Sequence, residues 1–184
     1  MGLDAFMTIP QHYPVEAGTL FGGEYPGAIA PALAEARLRH LIGMGVRTFL
    51  DLTAPEDGLV PYEDLLPSLA EQTNTPLQRI SLPIRDMDIP DSPETMRSIM
   101  AAIRKSIERA PAVYVHCWGG IGRTGTVVGC WLRECGIDPE AALLQVHKLY
   151  TGHMPKSRRI PDSPQTRGQR DYVLRWQPLN RSSK

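Results

Sequence analysis

The sequence has no excess charge of either sign: Lys plus Arg and Asp plus Glu each number 20 in 184 residues. A balanced chain builds no long-range field to gather nucleic acid or an anionic membrane, so any anion site has to be local. Cysteine is scarce, with Cys117, Cys130 and Cys135 the whole complement. Three is too few, and odd, for a disulfide framework, which predicts free thiols in a reducing compartment. Long apolar runs are also missing, and the opening MGLDAFMTIPQHYP has no basic stretch leading into an apolar one. Gly2 would permit myristoylation, but Phe6 stands where that signal needs Ser or Thr. The expectation is a soluble, cytoplasmic, monomeric protein with one domain over residues 1–184, large enough to bury a real core. No internal repeat or low-complexity tract divides it.

What is present is an alternation of short β-branched runs with helical patterns, after an irregular Pro- and Gly-rich opening of about 25 residues. Residues 19–27 read as a short edge strand and turn. A helix over 31–45 begins with Pro31, gathers Leu33, Leu38, Leu41 and Ile42 on one side, and stops at Gly43 or Gly45. Strands are expected at 46–53 and 77–84, with a helix interrupted by Pro67 between them, over 62–72. The clearest helix is 92–110, with Ser92 as N-cap and Met96, Ile99, Met100, Ile103 and Ile107 as its buried stripe. The apolar run 112–116 has the character of a strand buried on both faces, and helices follow near 124–135, 138–150 and 164–176. This order predicts an α/β fold: a central, mainly parallel sheet flanked by helices on both faces. Ligands in such sheets bind at the carboxyl ends of the strands, and Cys117 is the first residue past one of them.

Residues 113–125 read VYVHCWGGIGRTG. Between Cys117 and Arg123 lie Trp118, Gly119, Gly120, Ile121 and Gly122, and three glycines in five allow the backbone to curl with its N–H groups inward. The helix that follows adds unpaired amides and a positive dipole end, so a thiol aimed into this cradle ionises more readily than a free one. Arg123 offers a planar fork for two oxygens of a tetrahedral oxyanion. Thiolate, amide cradle and guanidinium together suit a phosphoryl group held by its equatorial oxygens while Cys117 attacks in line.

The stretch HCWGGIGRTG resembles the His-Cys-x5-Arg-Ser/Thr signature of the protein-tyrosine and dual-specificity phosphatase superfamily, with a glycine pattern most like the kinase-associated phosphatase branch. The resemblance covers about residues 46–176. It implies a phosphotyrosine phosphatase-like fold of the dual-specificity type and a cysteine-dependent phosphatase working through a phosphocysteine, with no metal and no cofactor. A leaving oxygen needs a proton, and the loop PIRDMDIPDSPE supplies three aspartates on the rim that carries Cys117. The family's Asp-x-x-x-Pro maps onto Asp86 and Pro90, making Asp86 the general acid and Asp88 the second choice. Ile84 replaces the family's usual tryptophan, and Arg85 stands where many members have proline. By the same resemblance Gln165, or else Gln169, positions the hydrolytic water, and His116 braces the loop from beneath.

Other residues keep two readings. Thr124 either donates to the cysteine sulfur or caps its helix. Trp118 either flanks the substrate or packs under the loop. Cys130 and Cys135 are core residues, or else one is a disulfide partner for Cys117. The cluster KSRR at 156–159 either extends the positive field at the mouth or is a solvated loop. His12, His40, His147 and His153 share no ligand-like spacing, so no metal site is expected. The chain lacks both the aromatic recognition loop of phosphotyrosine-only enzymes and the two lysines of inositide-phosphatase relatives. The expected substrate is therefore a phosphorylated protein or peptide carrying phosphotyrosine, with phosphoserine and phosphothreonine also admitted. A small phosphorylated molecule is the alternative, and a rhodanese-like sulfurtransferase or a non-catalytic phosphate-binding module is more distant.

Overall fold

Every side chain of Ala112–His116 is buried, as a strand covered on both faces requires. Five strands, β1 (His12–Glu16), β2 (Leu20–Gly23), β3 (Val46–Asp51), β4 (Gln78–Ser81) and β5 (Ala112–His116), form one sheet in the order β1-β2-β5-β3-β4. The computed structural model describes residues 9–109 and 111–178; the myristoylation position and the last residue of the helix expected over 92–110 lie outside the described residues. All neighbouring strands are parallel except β1 and β2. The register aligns the carboxyl ends: Gly23 and Asp51 both pair with His116, and Ser81 pairs with Asp51. A row of strand ends therefore crosses the sheet just below Cys117.

The irregular opening holds a strand that sequence patterning did not reveal. β1 lies on the edge and moves β2, the expected edge strand, into the interior. Pro14 breaks the appearance of a strand in the sequence, but an edge strand tolerates a missing donor, and the register shifts between Pro14 and Glu16.

Among the described residues six α-helices cover the sheet: α1 (Pro31–Gly43), α2 (Leu66–Gln72), α3 (Pro93–Arg109), α4 (Gly122–Glu134), α5 (Pro139–His153) and α6 (Arg167–Arg175). Pro67 does not interrupt a helix; it sits in the first turn of α2, where its missing N–H is no loss, and Glu63–Leu65 form a separate 3-10 turn. The Ser92 hydroxyl caps α3 by accepting from Thr95 N at 3.2 Å. The last helix starts three residues later than expected, because Thr166 takes the N-cap and forms a capping box with Gln169.

Alternation along β5 divides the core. Val113 and Val115 join Leu50, Met96, Ile99, Val127 and Val146 on one face, while Ala112 and Tyr114 join Phe49, Leu38, Leu41, Leu66 and Leu69 on the other. Helices thus pack on both faces of a mainly parallel sheet, as the order of elements predicts. No helix among the described residues is long and apolar enough to cross a membrane.

Candidate active site

Cys117 follows β5 directly and is only 3% exposed. The loop after it is held from outside by its carbonyls. Trp118 O accepts from Tyr25 N at 3.0 Å, Gly119 O from Lys156 Nζ at 3.1 Å, and Ile121 O from the Ser163 hydroxyl at 2.8 Å. In a planar trans peptide the next N–H points the opposite way, so the amides of Gly119, Gly120 and Gly122 face into the loop. Gly120 has to be glycine: its φ is +71°, and a Cβ there would lie 2.4 Å from the carbonyl carbon of Gly23. Lys156 also pairs with Glu24. Of the KSRR cluster, this residue therefore buttresses the loop rather than extending a free positive field.

Arg123 lies in the first turn of α4 and is 1% exposed. Its Nη1 donates to Asp57 Oδ2 at 2.6 Å and to Ile84 O at 3.0 Å. Its Nε and Nη2 are buried and make no hydrogen bond among the described residues; Asp86 Oδ1 is 2.9 Å from Nη2 but out of line for one. One edge of the guanidinium is thus anchored, and the edge suited to a two-pronged grip on an oxyanion is left over. Burial works against the charge, but Cys117 and the carboxylates of Asp57 and Asp86 more than offset it and hold Arg123 above its ordinary pKa.

The acid loop reaches the same place from the carboxyl end of β4. Asp88 N closes a turn on Arg85 O at 3.2 Å, with Met87 at a φ of +62°. Asp86, half exposed, joins Cys117, Gly122, Trp118, Met87, Ile160 and Gln165 around a cleft of about 200 Å³. The Asp88 carboxylate instead accepts from its neighbour Ile89 N at 2.8 Å. Of the two glutamines, Gln165 borders the cleft. Gln169 is fully buried, with both ends of its amide on protein backbone. Trp118 is half exposed at the mouth, which favours the flanking position over packing beneath the loop. A larger cavity of about 480 Å³, beside Arg47, Thr48 and Arg109, lies at the other end of the strands, away from these groups.

His116 lies under the loop, fully buried, its Nε2 sharing a 2.8 Å hydrogen bond with the Tyr62 hydroxyl. Burial pushes its pKa down to about 4 against the pull of Asp51, whose Oδ1 is 3.7 Å from Nδ1. The ring is therefore neutral near pH 7. Burial raises the pKa of Asp51, but the His116 ring once acid has protonated it, two hydrogen bonds from Thr53 and the Arg79 guanidinium outweigh it and hold the carboxyl below its usual range.

Thr124 does not cap its helix. Because α4 starts at Gly122, two residues early, Thr124 is past the cap position, and its hydroxyl donates to Gly23 O at 3.5 Å. Cys130 packs in the core, where burial pushes its thiol well above the ordinary value. Cys135 caps the far end of α4, about 18 Å along the helix from the loop at 1.5 Å per residue, too far to bridge to Cys117. Sequence reading missed Asp57, Asp51 and Tyr62, and it considered Lys156 only as part of the KSRR cluster. Asp57 lies past the carboxyl end of β3, but among Glu56, Asp57, Glu63 and Asp64 nothing in the sequence singles it out.

Comparison with known proteins agrees with this geometry. The sequence model of the PTP-SAK family, described as a Swiss Army Knife protein, DSP-PTPase phosphatase domain, matches residues 27–171. Protein 067L of Invertebrate iridescent virus 3, whose name describes it as a candidate tyrosine phosphatase, is 31% identical over 160 residues, covering 84% of this chain and 56% of its own. The phosphatidylglycerophosphate phosphatase PTPMT1 of Arabidopsis thaliana is 30% identical over 90 residues, covering 48% of this chain and 26% of its own. The chain thus spans about half the length of the first relative and a quarter of the second. The crystal structure of kinase associated phosphatase with its catalytic site cysteine replaced by serine superposes with a TM-score of 0.63 at 19% identity, covering 89% of this chain and 90% of that one, and so shares the fold. The family match over most of the chain, on a cysteine loop of this shape, gives the conclusion that the protein belongs to the DSP-PTPase phosphatase family.

Proposed function

We propose that the protein hydrolyses phosphoric monoesters of phosphorylated proteins, acting on phosphotyrosine and also on phosphoserine or phosphothreonine, through a phosphocysteine intermediate. The observation that carries this reading is the Nε and Nη2 edge of Arg123, which makes no hydrogen bond among the described residues, faces Asp86, and is buried beside the loop that begins with Cys117. The equatorial phosphoryl oxygens take that edge and the inward amides of Gly119, Gly120 and Gly122. The Cys117 thiolate attacks phosphorus; the S–P bond forms as the P–O ester bond breaks, and Asp86 gives its proton to the departing oxygen. In the second half Gln165 orients a water whose proton passes to Asp86. Its oxygen bonds to phosphorus, the S–P bond breaks, and inorganic phosphate leaves with the thiolate restored.

The rim supports an aryl ester. Trp118, Met87 and Ile160 are among the largest exposed apolar side chains, and all three stand around this one cleft. A phenyl ring would cover them and gain from removing apolar surface from water, whereas a ring bearing hydroxyls would not. A small phosphorylated molecule is the second reading, favoured by the lipid phosphate in the name of the Arabidopsis relative. The absence of lysine between Cys117 and Arg123 weighs against inositol polyphosphates. The test compares kcat/KM for a phosphotyrosine peptide, a phosphothreonine peptide, an inositol phosphate and a phosphatidylglycerophosphate. Phosphotyrosine peptide first and the small molecules last supports the proposal; the inverse order replaces it with the second reading.

A further inference from the structure

The loop bearing Asp86 is fastened on both sides of the acid. Ahead of it, Ile84 O accepts from Arg123 Nη1 at 3.0 Å; behind it, Asp88 O accepts from Gln169 Nε2 at 3.0 Å. Between the two pins Met87 takes a positive φ that side-chain-bearing residues rarely adopt, so the turn needs outside support. The other end of the same amide, Gln169 Oε1, accepts from the backbone N of Gln165 and of Thr166, each at 3.1 Å. The amide also packs on the phosphate loop, since a Cβ on Gly122 would lie 2.8 Å from Gln169 Oε1. Capping α6 needs only the Oε1 end of this side chain. The bond to Asp88 O is additional, and it reaches across 81 residues of sequence.

We infer that Gln169 is a positioning residue for the general acid. Its buried amide ties the acid loop to the phosphate loop and to the Gln165 segment, so that Asp86 faces the cleft before substrate arrives. Gln169 is thereby removed from the water-positioning role considered for it from the sequence. The inference rests on the proposed role of Asp86.

Gln169→Glu keeps an acceptor for the cap but, once ionised, has no N–H to donate to Asp88 O; Gln169→Met removes both. Each is assayed on phenyl phosphate, whose leaving group has a pKa of about 10 like tyrosine, and on an activated aryl phosphate whose leaving group departs unprotonated. On phenyl phosphate kcat/KM should fall by on the order of ten- to a hundredfold more than on the activated ester, part of the usual share of general acid catalysis, with inhibition by inorganic phosphate retained. Equal losses on the two esters, or none, overturn the inference. Asp86→Asn in the same assay separates the two claims. If it lacks the preferential loss, the proposed acid is wrong; if it shows the loss and the Gln169 variants do not, only the present inference falls. Where the variants do not fold, hydrogen exchange of the wild-type protein decides. A fastened loop predicts little change in the amides of residues 84–89 on adding inorganic phosphate, and strong new protection there contradicts it.

Discussion

Arg123 Nη2 stands 2.9 Å from Asp86 Oδ1, so the group proposed to receive phosphate faces the group proposed to protonate the leaving oxygen. Asp86 competes with the substrate anion for the Nε and Nη2 edge of the guanidinium. Asp86→Ala should therefore have two opposite effects. The kcat should fall by roughly 10²–10⁴-fold, the usual share of general acid catalysis, while inorganic phosphate should inhibit more strongly. Asp88→Ala should do neither to a comparable extent, because that carboxylate is turned to Ile89 N. Steady-state kinetics with phosphate as inhibitor checks both signs.

Asp57 anchors the opposite edge of Arg123 at 2.6 Å from a nearly fully buried position. Removing one partner of a buried ion pair leaves the other uncompensated and costs about 3–5 kcal/mol. Asp57→Ala should lose stability of that order in urea denaturation. An anion that refills the vacated side should recover more stability in the variant than in the wild type, by the linkage of binding to folding. Equal stabilisation of both proteins by phosphate would count against the anchoring role.

His116 makes the fold sensitive to acid. Its pKa is about 4 when folded and 6.5 as the ordinary value. Above pH 6.5 both states are neutral at this residue and it contributes no pH dependence. As pH falls from 6.5 to 4 the unfolded chain takes up the proton first, and stability declines by about 3 kcal/mol over that window. Below pH 4 the effect levels off. His116→Gln should lack this component, so the difference between the two pH–stability curves isolates it from the carboxylates.

Gly120 and Gly119 are neighbours with different demands. At Gly120 a methyl group would meet the backbone of Gly23 and Glu24 at 2.4–2.7 Å in a left-handed conformation, whereas at Gly119 its nearest contact is the tip of Ile121 at 3.4 Å. Gly120→Ala should lower the melting temperature and abolish inhibition by inorganic phosphate. Gly119→Ala should leave the melting temperature nearly unchanged. Similar thermal shifts for the two would show that the loop does not have this conformation.

Much of the site was legible because its centre is contiguous in the chain. Strand, Cys117, three glycines, Arg123 and helix all fall within a dozen residues, and the periodicities on either side settled the fold class. What escaped comes together only through long-range contact. Asp57 meets Arg123 across 66 residues and Tyr62 meets His116 across 54, and isolated polar residues in turns carry no periodic signal. β1 was hidden by Pro14, and Thr124 was misplaced because a helix boundary moved by two residues, a shift that reassigns every cap. Gln169 shows the remaining limit: a sequence proposes a glutamine near a site, but only burial tells whether its amide is available to water.

The most direct test of the account is a rapid acid quench during turnover of a phosphotyrosine peptide, followed by mass spectrometry of the peptide that contains Cys117. Covalent catalysis by Cys117 predicts phosphate bound to its sulfur in the wild type and none in Cys117→Ser, which should also fail to turn over while still binding inorganic phosphate. Sustained turnover by Cys117→Ser, or phosphate on another residue, would contradict it.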